Sequence, residues 1–316
     1  YQATRYVDTA IPHIPVTAHG LKENGYATIA TTNWLPYSWS INNVAFAEVM
    51  HTALSYFQAG RADAGYKLLK SSVLDGMYLG DSPGNFGQIS FYDAARGECY
   101  RDFGDPIGVA SRVLIQGLFG ILPDALNQQI ILRPGFPDDW DKASVSTPDI
   151  NYRFTRKEDT DTYHITQRFQ TPLHPVLHVN ARKEKIRSVK VNGVPATWQS
   201  IESAHGYPLL SIQAEGTSST TITIEWEGAP LHTLAVQEPV ITSNGKLALQ
   251  IPSGASISQV YDPQSVLANH TVEATAFNAQ IKGEPGHHTF FVYTHQGEMD
   301  WWQPVNIYIE NVRESP

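Results

Sequence analysis

Acidic side chains cluster in a segment that is otherwise rich in glycine, aromatic and polar residues. Glu98 and Asp102 of residues 76–104, and Asp105 directly after that segment, lie within eight positions of one another. A loop of this length inside a compact domain is often functional. Paired carboxyl groups suit glycoside hydrolysis, in which one protonates the leaving oxygen and the other activates water or attacks the sugar. The segment therefore predicts a carboxylate pair that acts on a glycosidic bond.

Side chains suited to holding a sugar surround these acids in the sequence. Aromatic rings stack on the apolar faces of sugar rings, and amides and guanidinium groups hydrogen-bond to hydroxyl groups. Candidates for substrate binding are Trp34, Tyr37, Trp39, Asn43, Asn85, Gln88, Tyr92 and Arg101, and Asn42 has the same chemistry. Core packing beneath the helices accounts equally well for Trp34, Tyr37 and Trp39.

Each acid also has a structural interpretation. Asp105 precedes Pro106 and is of the type that caps a helix, so capping is the favoured role. Asp102 can pair with Arg96 or Arg101 within the loop. No helix period or cap requires Glu98, so Glu98 is the first candidate for catalysis and Asp102 the second. The single cysteine, Cys99, has no evident base beside it and is predicted to be a buried, inert thiol.

Composition excludes several other classes of function. The formal net charge of −9 argues against binding nucleic acid without a local basic patch. No apolar run approaches the roughly 18 residues of a membrane span. Adjacent His287 and His288 would point to opposite faces of a strand, and His51, inside the first predicted helix, is expected to be packed or solvated and not a metal ligand. We therefore predict no metal and no cofactor. The Trp301-Trp302 pair could form a sugar platform, but core or domain packing is favoured.

The hydrophobic period changes near residue 125. Apolar residues at helical spacing predict three helices. The first covers Asn43–Phe57, with Asn42 or Asn43 as its cap and Gly60 after its end. The second covers Ala62–Leu74 and is stopped by Gly76, and the third runs from Asp105 to Leu118. The period then becomes two, which is typical of strands. Alternating segments are Tyr152–Phe154, Tyr163–Phe169, Val176–Val179, Ile186–Val191, Leu209–Ala214, Thr220–Trp226, Leu247–Ile251, Ile257–Tyr261, Thr289–Thr294 and Val305–Ile309. Asn192-Gly193 signals a tight hairpin.

The predicted order is therefore helices, a β-sandwich and a smaller immunoglobulin-like β-sandwich. The boundaries are residues 1–125, 126–228 and 229–316, and residues 1–40 form an irregular lead-in. Three helices and a long loop make a poor independent core. They suggest the last part of a larger helical domain.

Several segments together resemble a known family. These are SWSINNVAFAEVMHTALSYFQAG from Ser38, SPGNFGQISFYDAARGECYRDFGDPIGVASRVLIQGLFGILPDAL from Ser82, and the motifs Gly120–Pro123, Leu132–Pro134, Thr147–Ile150 and Val189–Gly193. They are similar to the C-terminal part of six-hairpin, (α/α)6-barrel glycoside hydrolases. The nearest familiar group is the family 78 α-L-rhamnosidases, together with uncharacterised gut-bacterial glycosidase-like proteins. The resemblance covers about residues 1–228.

The resemblance implies an α+β multidomain protein with partial barrel helices followed by two sandwiches. In that group the general base is a Glu in the loop before the last barrel helix, a position that Glu98 occupies here. The general acid comes from the earlier half of the barrel, which this chain lacks. A companion N-terminal segment would then complete the barrel. Localisation is expected to be secreted, periplasmic or at the cell surface.

Two functions remain open from the sequence. The first is the C-terminal portion of an inverting glycoside hydrolase that acts on a poly- or oligosaccharide, with Glu98 as base. The second is a non-catalytic carbohydrate-binding or assembly protein built on a degenerate glycosidase fold. Both functions imply a carbohydrate partner. Neither implies binding to nucleic acid or a membrane span.

Overall fold

The computed structural model describes residues 1–23, 25–31, 43–79, 91–93, 99–100, 104–232 and 238–310. At positions 43, 91–93, 99 and 100 it describes the backbone alone. The chain forms two compact units, one of residues 1–125 with 130–140 and one of residues 126–129 with 141–316. Strands outnumber helices, and the described residues form several sheets but no barrel of helices. The three predicted domain boundaries stay a prediction.

The first unit contains the helices, each short or of moderate length. They are α1 Gln2–Ala10, α2 Phe46–Gln58, α3 Ala62–Val73 and α4 Asp105–Arg112. Its strands are β1 His13–Pro15, β2 Ala27–Ile29, β3 Asn43–Ala45, β4 Phe91–Asp93, β5 Cys99–Tyr100, β6 Ile121–Asp124 and β7 Gln129–Leu132. A 3-10 turn, Ala125–Asn127, precedes β7. Helix α1 falls in the predicted irregular lead-in.

Three predicted helix boundaries are wrong. The first helix begins at Phe46 with Ala45 as its N-cap, because Asn43 belongs to β3. Gly76 does not stop α3, since a π-helical turn continues the chain over Leu74–Leu79. Asp105 lies inside the first turn of α4 behind the N-cap Gly104, and no side chain caps that helix. Gly60, by contrast, has the expected left-handed backbone (φ 73°) after α2.

Glycines allow close packing around the end of the first helical hairpin. The Phe57 ring on α2 is only 6% exposed, and a Cβ atom at Gly65, Gly117 or Gly135 would press against it. A second π-helical turn, Val113–Leu118, extends α4 and carries Gly117. Gly120 then turns the chain with φ 65°, and a Cβ atom there would overlap the carbonyl group of Arg133. The backbone of Arg133 donates to the Gly120 carbonyl (2.8 Å).

The first sandwich belongs to the second unit. Its strands are β8 Lys142–Ser146, β9 Ile150–Lys157, β10 Thr160–Gln167, β11 His174–Asn180, β12 Lys183–Val191, β13 Val194–Pro195, β14 Gln199–Ser200, β15 Leu209–Gln213 and β16 Ser219–Pro230. One sheet has the order β13-β12-β16-β10-β9-β8, and β15 pairs with β11 and β14 in the other. Asn192 (φ 51°) and Gly193 (φ 80°) form the two-residue hairpin between β12 and β13, as predicted.

The second sandwich packs a four-stranded sheet against a three-stranded one. Its strands are β17 Val240–Thr242, β18 Lys246–Gln250, β19 Ala255–Tyr261, β20 Leu267–Glu273, β21 Ala276–Ile281, β22 Gly286–Gln296 and β23 Met299–Glu310. The sheet orders are β17-β23-β22-β19 and β18-β21-β20. The first strand, β17, runs parallel to the last, β23. Phe277, Phe290, Val305 and Ile307 are fully buried in the core between the sheets.

Three backbone hydrogen bonds, at two points, join the sandwiches to each other. The Glu298 N–H group donates to the carbonyl oxygen of Glu184 (2.7 Å). Further along β23, the Trp302 N–H group donates to the Ala204 carbonyl (2.8 Å), and the Gly206 N–H group donates to the Trp302 carbonyl (2.9 Å). These contacts fix one sandwich against the other at two points.

Candidate functional site

Most of the residues predicted to act on a sugar lie outside the described part of the chain. These are Glu98, Asp102, Arg101, Trp34, Tyr37, Trp39, Asn85 and Gln88. Asn43 and Tyr92 are described by their backbone, in β3 and β4. The proposed roles of all these residues stay predictions. For Asn43 and Tyr92, the structure shows how their strands are arranged.

A three-stranded antiparallel sheet gathers three of the relevant segments. In the order β3-β4-β5, Asn43 lies opposite Asp93, Val44 lies opposite Tyr92, and Tyr92 lies opposite Cys99. Neighbouring strands lie about 4.8 Å apart. Asn43 and Asp93, which are 50 positions apart in the sequence, are therefore neighbours here, as are Val44 and Tyr92, which are 48 apart. Glu98 immediately precedes Cys99 in the sequence. The helix α2 follows β3 directly, so the sheet is joined to the helical hairpin.

A polar cluster that the sequence did not reveal connects α1 to this hairpin. Asp8 on α1 accepts a hydrogen bond at Oδ1 from the Tyr56 hydroxyl group (2.6 Å). Its Oδ2 atom accepts another from Nη2 of Arg61 (2.6 Å). Arg61 also donates to the Thr4 hydroxyl group (3.0 Å) and lies over the Tyr56 ring. Both carboxylate oxygens of Asp8 are thus occupied, which suits a structural role better than proton transfer.

This cluster borders a cavity of about 190 Å³. Polar lining comes from Asp8, Tyr56, His13 and Lys67, and the apolar lining from Ala27, Ile29, Ala64 and Leu68. Tyr56 is only 3% exposed, whereas His13 and Lys67 reach solvent. A carboxylate, a phenol, an imidazole and an ammonium group therefore line the cavity. The carboxylate, however, is already hydrogen-bonded to Tyr56 and Arg61.

The Tyr56 hydroxyl group is strongly biased toward its protonated form. Burial, followed by the hydrogen bond to Asp8 and its negative charge, raises the pKa of Tyr56 well above its ordinary value of 10.0. Burial likewise raises the pKa of Tyr152 and of Tyr163 in the first sandwich. Ionisation of these phenols is therefore costly in the folded protein.

We expect alkali to unfold the protein before these three tyrosines ionise. Below about pH 10 both states keep the protons, and the full free energy of unfolding is present. Above it the unfolded chain loses protons that the folded chain retains, so stability falls as pH rises. Absorbance at 295 nm, followed beside near-ultraviolet circular dichroism, should show Tyr56, Tyr152 and Tyr163 titrating together with unfolding. Ionisation of all 15 tyrosines near pH 10 with the fold intact would contradict this.

The tryptophan pair near the C-terminus divides between two roles. Trp301 is 1% exposed and its indole nitrogen donates to Gln303 (3.0 Å), so it packs in the core. Trp302 is half-buried on the opposite face of the same strand. Core packing therefore holds for Trp301, while Trp302 lies on the outer face.

The remaining polar candidates have local partners. Nδ1 of His287 lies 2.8 Å from Glu238, and Nε2 of His288 lies 2.8 Å from the Glu284 carbonyl oxygen. Over the described ranges, no three His, Cys, Asp or Glu side chains come together as a metal site. Nor does any helix in those ranges have both the length and the apolar character to cross a membrane.

Similarity to known proteins is found among solved structures. No family model matches the chain, and no curated protein matches it by sequence. Among solved structures, an α-L-rhamnosidase from Dictyoglumus thermophilum matches 57% of this chain at 14% identity with a TM-score of 0.39. Tandem Ig repeats of Dlar match 48% of this chain and 90% of theirs, at 9% identity and a TM-score of 0.18.

A third solved structure is similar to the chain at an equally low level. The titin domains z1z2 in complex with telethonin match 53% of this chain and 99% of theirs, at 14% identity and a TM-score of 0.18. The chain spans 21% of the length of the rhamnosidase it matches. A likeness of this size does not extend to activity.

Proposed function

We propose that the chain is the C-terminal portion of a glycoside hydrolase that acts on a poly- or oligosaccharide. The observation that carries the proposal is the register of β3, β4 and β5. In this register Tyr92 of the middle strand lies opposite Cys99, the residue that follows Glu98 in the sequence, and the strand of Asn43 pairs with the other edge of the middle strand. Segments that carry amide, aromatic and carboxylate side chains thus converge on one small sheet, as a sugar site with a catalytic acid or base requires.

Glu98 acts in this proposal as the general base of an inverting reaction. Its carboxylate removes a proton from water, and the water oxygen attacks the anomeric carbon. The bond from that carbon to the leaving oxygen breaks, and the leaving oxygen takes a proton from a general acid. A companion N-terminal segment supplies the acid, while the partial helical barrel and Arg101 help to position the sugar. Asp102 is the second carboxylate of the loop.

Residues of the motifs that resemble the glycoside hydrolase family also make structural contacts in this fold. Gly120 and Arg133, from two of the motifs, contact each other through their backbones. Thr147 and Ile150 close a turn at the start of β9, in which the Ile150 N–H group donates to the Thr147 hydroxyl group (3.0 Å). Asn192-Gly193 forms a hairpin. Such roles explain why these residue types occur at these positions, and they support the proposed glycosidase-like architecture.

The test is hydrolysis by the full-length gene product. Plant and host polysaccharides and aryl glycosides serve as probes, and the release of reducing ends is the first readout. Proton NMR of the initial product then gives its anomeric configuration, which we expect to be inverted. A retained configuration would contradict the inverting mechanism. Absence of hydrolysis with sugar binding intact would favour the non-catalytic alternative.

A further inference from the structure

The outer face of the four-stranded sheet in the second sandwich carries aromatic side chains. Alternate residues of β22 and β23, such as Val292 and Val305, point into the core. The residues between them lie on the other face, where Tyr293 is opposite Trp302 and Phe291 is opposite Pro304. Strand β19 adds Tyr261 beside Phe291 on the same face. We call the surface formed by Tyr261, Tyr293 and Trp302 the aromatic platform.

The rings of the platform support one another. The Trp302 ring centroid lies 5.0 Å from that of Tyr293 and 6.3 Å from that of Tyr261. The Tyr261 ring stacks on Phe291 (6.1 Å), which is itself only 8% exposed. Tyr261 remains 58% exposed above it. An exposed aromatic ring that rests on a buried one presents a flat apolar surface in a fixed place.

The backbone beneath the platform is also fixed. Both the N–H and the carbonyl group of Trp302 are hydrogen-bonded, to Ala204 and Gly206 of the first sandwich. Strand β22 pairs with β23 along its length on the other side. A ligand would therefore bind a preformed surface and would not have to order the side chains that it contacts.

Polar groups surround the rings. Gln259, opposite Tyr293 on β19, is exposed. At the other end, Nδ1 of His295 lies 2.8 Å from Oδ1 of Asp300. Burial, together with the negative charges of Asp300 and Glu202, raises the pKa of Tyr293. Amide, imidazole, phenol and carboxylate groups hydrogen-bond readily to hydroxyl groups.

Charge and shape narrow the class of ligand. The two carboxylates beside the platform disfavour phosphates and other anions. The rings line one face of a single sheet, so the platform is open and does not enclose a cation from several sides as an aromatic cage does. A neutral ring with an apolar face and hydroxyl groups at its edge matches both the aromatic surface and its polar surroundings.

We propose that the aromatic platform binds the sugar rings of a neutral polysaccharide and takes no part in catalysis. Tyr261 stacks on the apolar face of one pyranose ring, and Trp302, whose ring plane is inclined by 68° to that of Tyr261, stacks on a neighbouring sugar ring. Gln259, Asp300 and the Tyr261 hydroxyl group bind the hydroxyl groups of these sugars. No bond is made or broken here. The proposal stands independently of hydrolysis, because it rests on residues of the two sandwiches and not on Glu98.

Affinity electrophoresis of the full chain tests this platform. Native gels with and without soluble xyloglucan, galactomannan, arabinogalactan or mixed-linkage β-glucan give a dissociation constant from the retardation. At least one of these polysaccharides should retard the protein. Tyr261→Ala and Trp302→Ala should each weaken that binding about tenfold, because one stacked aromatic contact contributes on the order of that factor.

Matched variants make the outcome decisive. Tyr6→Ala removes a tyrosine that is 62% exposed on α1 and should leave the retardation unchanged. Trp302→Phe keeps a ring, and binding retained in it but lost in Trp302→Ala separates stacking from misfolding. Lack of retardation by all four polysaccharides, or equal retardation of Tyr261→Ala and wild type, would overturn the proposal. A concentration-dependent dimer that Tyr261→Ala abolishes would also overturn it, by assigning the platform to a second copy of the chain. Loss of hydrolysis in a Glu98→Gln variant would leave this binding result unchanged.

Discussion

Replacement of Glu98 by glutamine should lower the rate of glycoside hydrolysis by the full-length gene product about 10²–10⁴-fold. Glutamine keeps the shape of the side chain but cannot take a proton from water, and general base catalysis contributes a factor of that size. The acidic limb of the pH profile of kcat/KM should disappear as well, because the group whose protonation abolishes activity is gone. Initial rates on the best polysaccharide, measured across pH, check both effects.

Two variants control for a structural effect. Glu48→Gln makes the same chemical change at an exposed position of α2 and should retain full activity. Asp102→Asn tests the other carboxylate of the loop, and a larger loss there than in Glu98→Gln would move the role of base to Asp102. All variants should share the thermal midpoint of the wild type. Unchanged activity in Glu98→Gln would remove Glu98 from the mechanism.

Replacement of Asp161 by alanine should destabilise the unit of the sandwiches by about 3 kcal/mol, at the low end of the 3–5 kcal/mol range for breaking a buried ion pair. Asp161 is 1% exposed, and its Oδ1 atom accepts hydrogen bonds from Arg156 and Arg182 (3.0 Å each). Its Oδ2 atom accepts one from the indole nitrogen of buried Trp226 (3.1 Å). The variant leaves all three donors without this acceptor. The two arginines remain about a quarter exposed and can be partly hydrated, which places the effect at the low end.

Urea unfolding followed by tryptophan fluorescence measures this loss. Asp161→Asn keeps one carbonyl acceptor and should lose less stability than the alanine variant. Asp159→Asn is the surface control, because Asp159 meets Lys183 (2.8 Å) in solvent and should change the free energy of unfolding far less. An equal effect of Asp159→Asn and Asp161→Ala would show that burial of the Asp161 cluster contributes nothing.

The strands of the sandwiches could be predicted because their signals are local. In β9 and β10, alternate residues such as Tyr152, Phe154 and Ile165 are buried, which gives a period of two in the sequence. Strand β20 has no such period, since only Leu267 of its seven residues is buried. Pairing with β21 defines that strand, and the sequence carries no local signal for it.

The parts of the first unit that escaped prediction depend on distant partners. Helix α1 buries only Thr4 and so lacks an apolar stripe, and Asp8 ties it to residues about fifty positions away. Strand β3 replaces the predicted start of the first helix because it pairs with β4. The Asp161 cluster likewise combines residues from several strands. Composition and spacing identified the candidate acids, but they could not show which side chains meet.

The parallel pairing of β17 with β23 affects how the last sandwich can form. Val240 lies opposite Tyr308, so the first strand finds its partner only in the last one. During synthesis, β17 emerges from the ribosome more than fifty residues before β23, and its hydrogen-bonding edge stays uncovered in the meantime. Contacts between such distant segments form slowly. We therefore expect the second sandwich to fold later than the first and to be more prone to aggregate until β23 has been synthesised.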